Sequence, residues 1–372
     1  MISPFPPNAS RRGSAAGGVR ARTALVTGGA GFIGSRLVHS LCEQGWRVVV
    51  VDDLSSGWRE SVDDRAHLHL ADVGARAVLE DVIQAELDGG GRLDAVIHLA
   101  AKVGVRRVLA DPEGCRESNH AAADELVRAL APLDQRHRPL LLSASTSEVY
   151  CEKRGPLHES DAVRLGHGAG RWAYAGSKLE AERKLDHGLA NWGPDHRPLH
   201  LRFFNVVGPG QDADSGMVLP RFVEQAENGI PLTVHGDGSQ VRTFAHVDEI
   251  VHALCALLNR SSIHASAIKT RLNSVESGRP GGPLNLGGSA RASILDLAQM
   301  VLRVSGASTG IEHVDPLRSL SRSFEEVMYR EPCLDRADSL GLPACERDLE
   351  SIVRDTVTRH RRLQRGIQTA AR

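Results

Sequence analysis

Short apolar runs alternate with stretches of helical periodicity through the first half of the chain. Because each run is short and bounded by polar or turn residues, we predict strands at 23–28, 47–52, 67–71, 95–99, 140–143 and 199–204. Apolar residues at helical spacing predict helices at 31–44, 75–87, 119–131 and 174–190. The second run contains four consecutive valines, which is typical of parallel strands covered on both faces. This alternation predicts an α/β fold with a doubly wound parallel sheet.

The pattern changes at about Pro209, after which short segments, Pro and Gly become frequent. We therefore predict a second, smaller C-terminal domain that binds the substrate. The predicted divisions are a disordered tail at 1–22, the doubly wound domain at 23–205, a mainly substrate-binding domain at 206–360 and a tail at 361–372. Within the third part, sections of 240–265 return to the first domain, and the polar stretch 261–283 forms a surface insertion.

Composition excludes several classes of function. A formal net charge of -1 and a pI near 7.0 provide no field for binding nucleic acid. No apolar run approaches the roughly 20 residues that a membrane helix requires, so we expect no membrane partner. The six cysteines lack metal-ligand spacing and are too sparse for a disulfide framework, which predicts a cytoplasmic protein without a bound metal.

Three glycines, Gly28, Gly31 and Gly34, lie where the first strand meets the first helix. Glycine at this junction allows the backbone to approach a pyrophosphate closely, and the helix start offers free N–H groups and a positive dipole end. Because a strand precedes the motif and a helix follows it, the pattern predicts a Rossmann domain that binds a dinucleotide.

Aspartates at the ends of the next two strands extend this prediction to NAD. Asp52 ends the valine run, about 20 residues after the glycines, where a carboxylate accepts hydrogen bonds from both ribose hydroxyls. The same charge repels a 2′-phosphate and so favours NAD over NADP. Asp53 is the less suitable neighbour, and Asp72 ends the third strand within reach of the adenine.

Tyr174 and Lys178 are the candidate catalytic pair. Their spacing places both side chains on one face of a helix. An ammonium beside a phenol is expected to lower the tyrosine pKa, which suits removal of an alcohol proton while hydride leaves the same carbon. The hydroxyl-rich run 143–150 follows a buried strand and can supply a relay hydroxyl, although a polar turn has the same composition.

Together these segments resemble the extended short-chain dehydrogenase/reductases of the nucleotide-sugar epimerase/dehydratase family, which includes UDP-glucose 4-epimerases and UDP-glucuronate decarboxylases. The resemblance runs in order over about residues 23–300. The matching segments are TGGAGFIG (27–34), VVVVDDLSSG (48–57), ADV (71–73), HLAAKVGV (98–105), SASTSEVY (143–150), RWAYAGSK (171–178), LRFFNVVGPG (201–210), HGDGSQVRTFAHVDE (235–249) and PLNLGG (283–288).

The resemblance implies a set of site residues. The catalytic group is Thr146, Tyr174, Lys178 and Glu148. The NAD-binding group is Gly28, Gly31, Phe32, Ile33, Gly34, Asp52, Asp72, Val73, Ala100, Tyr174 and Lys178. Val105, Asn119, Asn205 and Arg242 form the substrate-binding group, in which Asn119 steadies the active-site helix while Asn205 and Arg242 hold the diphosphate. Cys151 and Gly210 depart from the family pattern, which puts the local loop shape and substrate fit in doubt.

Glu148 bears on the reaction, because a carboxylate two positions after Thr146 is common in dehydratases and decarboxylases of this family. All members are expected to oxidise C4 of a nucleotide sugar, which is most simply a UDP-sugar. A UDP-hexose 4-epimerase is slightly favoured over a dehydratase with Glu148 as the C5 base, and over a UDP-glucuronate decarboxylase. A non-catalytic NAD-sensing protein is the alternative from another class. We expect a homodimer.

Overall fold

The computed structural model describes residues 20–88, 90–164, 172–193, 196–263, 281–315 and 327–370. The strands are β1 (Thr23–Thr27), β2 (Arg47–Asp52), β3 (His67–Leu70), β4 (Ala95–His98), β5 (Leu140–Thr146), β6 (Leu199–Phe203), β7 (Val206–Val207), β8 (Leu232–His235), β9 (Val241–His246), β10 (Gly282–Leu286), β11 (Ala290–Ser293), β12 (Ile311–Val314) and β13 (Tyr329–Arg330).

The α-helices are α1 (Phe32–Glu43), α2 (Val78–Leu87), α3 (Val105–Ala110), α4 (Pro112–Leu130), α5 (Ala173–Gly188), α6 (Val218–Glu227), α7 (Val247–Ile263), α8 (Ile294–Ser305), α9 (Asp335–Ser339) and α10 (Leu349–Ala370). Short 3-10 helices also occur, and the one at Ser147–Val149 directly follows β5.

Seven strands form one parallel sheet in the order β10-β6-β5-β4-β1-β2-β3. The predicted doubly wound parallel sheet is therefore confirmed, and its six predicted strands are all present. Separate apolar clusters cover the two faces of the sheet. The chain leaves β1 towards β2 on one side and later builds outwards from β4 on the other. Ligands of such sheets bind in the crevice at this reversal, outside the carboxyl ends of the strands.

Two elements begin or end differently from the prediction. Helix α4 begins at Pro112 rather than near residue 119, because the Asp111 side chain caps it by accepting the Gly114 N–H at 2.9 Å. Proline at the first helical position costs no hydrogen bond, so this start is stable although it is not apolar. Strand β5 continues to Thr146 and so carries its hydroxyl to the crevice edge.

The C-terminal part surrounds β9, which pairs with β11, β13 and β7. Helices α6, α8 and α10 enclose a third apolar cluster beside it. Helix α7 instead packs on α1 of the large sheet. Strand β10 also belongs to that sheet, so the prediction that the surface insertion extends to residue 283 was wrong. Its apolar residues Leu284 and Leu286 pull the strand into the core.

The predicted tail at 361–372 is also wrong for its described part, because α10 continues to Ala370. Arg361 makes two bonds of 2.8 Å to Glu227 on α6, which fastens the helix to the domain. Because this stretch is rich in charged residues, nothing in its sequence indicates the contact between Arg361 and Glu227. Residues 1–19 and 264–280 of the predicted tail and insertion lie outside the described residues. Within the described ranges, no helix is both long and apolar enough to cross a membrane.

Candidate functional site

The glycine loop sits at the reversal of the sheet and is packed too closely for any side chain. Gly28 has φ +72°, and a Cβ there would lie 2.6 Å from the Ala100 backbone nitrogen. A Cβ on Gly34 would lie 2.1 Å from the Gly28 carbonyl oxygen. These two glycines therefore allow β1, the loop and α1 to approach one another.

The start of α1 fits the pyrophosphate of a dinucleotide. Gly31 is its N-cap and provides no side-chain cap, and the first turn contains no acidic residue. The N–H groups of Phe32 and Ile33 thus belong to an uncapped positive helix end. A cleft of about 1540 Å³ adjoins Ala30, Gly31 and Phe32, but its lining continues along α1 and α7 and does not include Asp52, Thr146 or Tyr174. The glycine loop and the uncapped helix start are therefore the features that fit the pyrophosphate of NAD.

Asp52 is 7% exposed and lies beside the loop at the end of β2. Its carboxylate accepts the Ala30 N–H at 2.9 Å and the Leu54 N–H at 2.8 Å. It therefore shapes the glycine loop, and each oxygen keeps a further lone pair for a ribose hydroxyl. Asp72 is exposed and accepts the Gly74 N–H at 2.8 Å, while the neighbouring Val73 is buried.

Asp52→Ala is expected to narrow the preference for NAD over NADP by about tenfold or more, equivalent to about 1.4 kcal/mol. The substitution removes the ribose acceptor and the charge that repels a 2′-phosphate. Dissociation constants for both cofactors provide the measurement. Asp53→Ala is the matched control, because Asp53 is exposed and its carboxylate accepts the N–H of Ser55 in its own loop. An unchanged preference for NAD over NADP in Asp52→Ala would show that the Asp52 carboxylate does not discriminate between the two cofactors.

Tyr174 and Lys178 lie in the first two turns of α5, which packs on β5 and on the 3-10 helix after it. The tyrosine packs against Val108 and Cys115 of α3 and α4. Lys178 is 3% exposed. The predicted placement of both residues on one helix at the crevice is what the structure shows, and Thr146 ends the adjacent strand. Thr146 Oγ1 accepts the Glu148 N–H at 3.2 Å.

The electrostatics differ from the sequence expectation. Burial raises the pKa of Tyr174 above its usual range, and the Glu148 charge raises it further. Burial also lowers the pKa of Lys178 to about 8, against the opposing charges of Cys115 and Glu182. The expected depression of the tyrosine pKa was therefore wrong for the protein alone. Packing of α3 and α4 over the phenol is the cause of the burial.

The pair is expected to give a rate that rises as pH increases to about 8 and then levels. Proton abstraction requires that Tyr174 and Lys178 together have lost one proton, and the first one leaves at about the Lys178 pKa. Above that pH the pair keeps one proton, which is divided between Tyr174 and Lys178 in a ratio that does not depend on pH. The rate therefore stays level until the pair loses this second proton as well. The pH profile of kcat/KM, measured with formation of reduced cofactor, checks this. A rate that falls as pH rises through 8 would contradict it.

Asn119 braces the site from α4. Its Oδ1 accepts the Lys102 N–H at 3.0 Å, and its Nδ2 donates to Ser177 Oγ at 2.9 Å. Ser177 in turn donates to the Tyr174 carbonyl at 2.8 Å. Because Asn119 is buried with both ends of its amide engaged, the geometry favours a bracing role over direct contact with a substrate.

Glu148 is paired with an arginine that the sequence analysis missed. Arg330 Nη1 donates to Glu148 Oε1 at 2.8 Å, and its Nη2 donates to Asn205 Oδ1 at 3.3 Å. Asn205 has φ +35° and donates to the Thr243 carbonyl at 2.8 Å. Glu148 and Arg330 also line a small cavity, together with Trp172, Tyr329 and other residues. Arg330 carries no local motif, and long-range contacts of β13, among them its pairing with β9, bring it here.

The structure places the remaining predicted substrate residues on β9 and at the start of α3. Arg242 is buried on β9 opposite Arg330 and donates to the Val241 carbonyl at 2.9 Å. Val105 begins α3, whose preceding Gly104 touches Ser215. Of the two departures from the family pattern, Cys151 is exposed, and Gly210 has φ +83°. A left-handed backbone there accounts for glycine in place of a larger residue.

The sequence profile of the NAD dependent epimerase/dehydratase family matches residues 24–268. The chain belongs to this family. Its members use NAD, so the predicted family and cofactor are confirmed. The chain is 30% identical over 314 residues to the UDP-N-acetyl-alpha-D-glucosaminuronate decarboxylase of Bacillus cytotoxicus, covering 83% of this chain and 88% of that one.

Two further relatives carry different names. A probable UDP-glucuronate 4-epimerase of Rhizobium meliloti is 30% identical over 303 residues, covering 76% of this chain and 82% of that one. The crystal structure of the UDP-glucuronic acid 4-epimerase from Bacillus cereus with UDP-glucuronic acid and NAD has a TM-score of 0.72 and 25% identity, covering 92% and 99%. This family member is therefore similar both to decarboxylases and to epimerases.

Proposed function

We propose that this family member is an NAD-dependent decarboxylase of a UDP-linked uronic acid. The observation that carries the proposal is the ion pair between Glu148 and Arg330 at 2.8 Å, two residues along the chain from the end of β5 at Thr146. Both relatives at 30% identity described above are named for a sugar that bears a carboxylate. A planar guanidinium is the group best suited to bind such a carboxylate.

The pair also argues against a dehydratase. A dehydratase needs a base at C5, and Glu148 is the carboxylate that the sequence offers. Arg330 already neutralises that carboxylate, and Asn205 holds the second guanidinium nitrogen. The arrangement is therefore better suited to exchanging one carboxylate partner for another than to abstracting a proton.

Decarboxylation follows from that exchange. The substrate carboxylate shares Arg330 with Glu148, whose negative charge disfavours a second anion nearby. Once C4 is a ketone, the C5–C6 bond breaks, carbon dioxide leaves, and the electron pair moves through C5 to the C4 oxygen. Arg330 is then left with Glu148, so no buried charge is stranded. A proton from water completes C5.

The other residues act on C4. Tyr174 takes the proton of the 4-hydroxyl, Thr146 relays it, and the charge of Lys178 stabilises the phenolate. When bound, NAD supplies the hydride acceptor and returns the hydride at the end. We assign Gly28, Gly31, Phe32, Ile33, Gly34, Asp52, Asp72, Val73 and Ala100 to the cofactor site, and Val105, Asn205 and Arg242 to the nucleotide-sugar site.

A UDP-uronate 4-epimerase is the second candidate, because Arg330 serves equally to bind a carboxylate that is retained. The likeness to the Bacillus cereus 4-epimerase supports it. The decarboxylase and the epimerase differ in what happens to the 4-keto sugar before hydride returns. In the decarboxylase it loses carbon dioxide, and in the epimerase it rotates in the site. A homodimer and a cytoplasmic location stay predictions.

A panel of nucleotide sugars tests the proposal. The enzyme is incubated with UDP-glucuronate, UDP-N-acetylglucosaminuronate, UDP-glucose and UDP-galactose, and products are identified by mass and NMR. We expect UDP-pentose or its acetamido analogue from one or both uronates and no turnover of the neutral hexoses. An epimerised uronate of unchanged mass would favour the UDP-uronate 4-epimerase. An epimerised hexose would favour the UDP-hexose 4-epimerase predicted from the sequence. Binding of NAD without any product would favour a non-catalytic NAD-sensing protein.

A further inference from the structure

A chain of buried polar contacts leads from the end of β5 towards Arg330. Tyr150 is 4% exposed, and its hydroxyl donates to Oδ1 of Asn285 at 2.7 Å. Asn285 lies on β10 with no exposed surface. Its Nδ2 donates to the carbonyls of Leu157 at 2.8 Å and Cys333 at 3.2 Å. One phenol thus orients an amide that clamps two separate loops.

The clamped loops hold the segment that carries Arg330. The Leu157 N–H donates to the Glu331 carbonyl, and the Cys333 N–H donates to the Leu157 carbonyl, both at 2.8 Å. These bonds begin one residue after Arg330. On its other side, Met328 N–H donates to a carboxylate oxygen of Glu152 at 2.7 Å. The position of β13 therefore depends on the loop that Tyr150 begins, as well as on β9.

The other end of the chain reaches the catalytic strand and helix. The Arg202 guanidinium lies 4.7 Å from the centre of the Tyr150 ring and makes bonds of 3.0 and 2.7 Å to Glu182. Glu182 also accepts the Ser145 hydroxyl. Ser145 directly precedes Thr146, and Glu182 follows Lys178 by one helical turn. The network therefore spans both halves of the proposed site.

We infer that Tyr150 is a positioning residue that sets the distance of Arg330 from Thr146 and Lys178. The inference rests on the proposed function, in which Arg330 binds the substrate carboxylate. Without the hydroxyl, Asn285 Oδ1 is left as a buried acceptor without this donor, which weakens the anchoring of the amide that bonds the Leu157 and Cys333 carbonyls. Burial raises the pKa of Tyr150 to about 12, so the hydroxyl remains a donor at neutral pH.

Tyr150→Phe tests this, because the ring over Arg202 is retained and only the hydroxyl is lost. We expect faster amide hydrogen exchange in residues 327–333 and a loss of about 10- to 100-fold in kcat for the uronate, since a displacement near 1 Å has costs of that order. A larger fraction of turnovers should also end with reduced cofactor and released ketosugar. NAD affinity should be unchanged.

Thr356→Val is the matched control. It removes a buried hydroxyl that donates to the Ile352 carbonyl on α10, within the third apolar cluster, so it lowers stability without touching the network. If Tyr150→Phe lowers Tm as the control does but leaves exchange at 327–333 and the ketosugar fraction unchanged, the inference is wrong. Exchange is measured without turnover, so it decides the inference even if the wild type fails to decarboxylate uronates, which would overturn only the proposed function.

Discussion

Tyr174→Phe is expected to lower kcat by about 10²–10⁴-fold while leaving NAD affinity nearly unchanged. In the proposed mechanism the phenol transfers the C4 proton, and phenylalanine carries no group that can replace it. The ring packs against Val108 and Cys115, so phenylalanine preserves the apolar contacts. Single-turnover reduction of the bound cofactor is the measurement, because it isolates the oxidation step.

Binding of the cofactor provides the internal control for this variant. An NAD dissociation constant and Tm close to wild type show that the site is intact, so that the lost rate belongs to proton transfer. A phenylalanine variant that keeps most of the activity would show that Tyr174 is not the group that takes the C4 hydroxyl proton. Weak NAD binding would instead assign the phenol to the cofactor site.

Arg330→Met is expected to have the second-largest effect, a loss of about 10²–10³-fold in kcat/KM for the uronate. Removing one partner of a desolvated charge pair costs about 2–5 kcal/mol, and here both the substrate carboxylate and Glu148 lose their partner. Methionine preserves much of the side-chain length. Affinity for UDP alone should change little if Arg330 binds the sugar rather than the nucleotide.

Arg291→Met is the matched control for the loss of an arginine at this end of the molecule. Arg291 pairs with Glu331, the neighbour of Arg330, but its side chain is 55% exposed. Exposed pairs contribute about 0–1 kcal/mol, so the control should retain nearly full activity. Equal losses in both variants, or weakened UDP binding in Arg330→Met alone, would argue against a carboxylate-binding role.

Local sequence rules predict the cofactor half of the site well. The strands have continuous apolar runs, Gly28 and Gly34 mark a junction where no Cβ fits, and Asp52 follows at the expected distance. Tyr174 and Lys178 are four residues apart on one helix, so their common face depends only on helical geometry. Each of these features is determined within a short stretch of chain, which makes it visible before folding is known.

The substrate half depends on contacts between distant segments. Glu148 and Arg330 are 182 residues apart, and they meet because β13 pairs with β9 and is bonded to the loop at 152–157. The raised pKa of Tyr174 likewise depends on α3 and α4 covering the phenol. Burial and long-range pairing leave no periodic signal. The sequence alone therefore leaves open the choice among reactions that share the Tyr/Lys pair.

Release of C6 as carbon dioxide is the direct test of the proposal that the enzyme decarboxylates a UDP-linked uronate. UDP-glucuronate or UDP-N-acetylglucosaminuronate carrying ¹³C at C6 is incubated with the enzyme and NAD, and the label is followed by NMR. We predict that the label leaves as carbon dioxide and bicarbonate, that a UDP-linked pentose product accumulates, and that Arg330→Met prevents both. Turnover that keeps the label in an epimerised uronate would contradict decarboxylation.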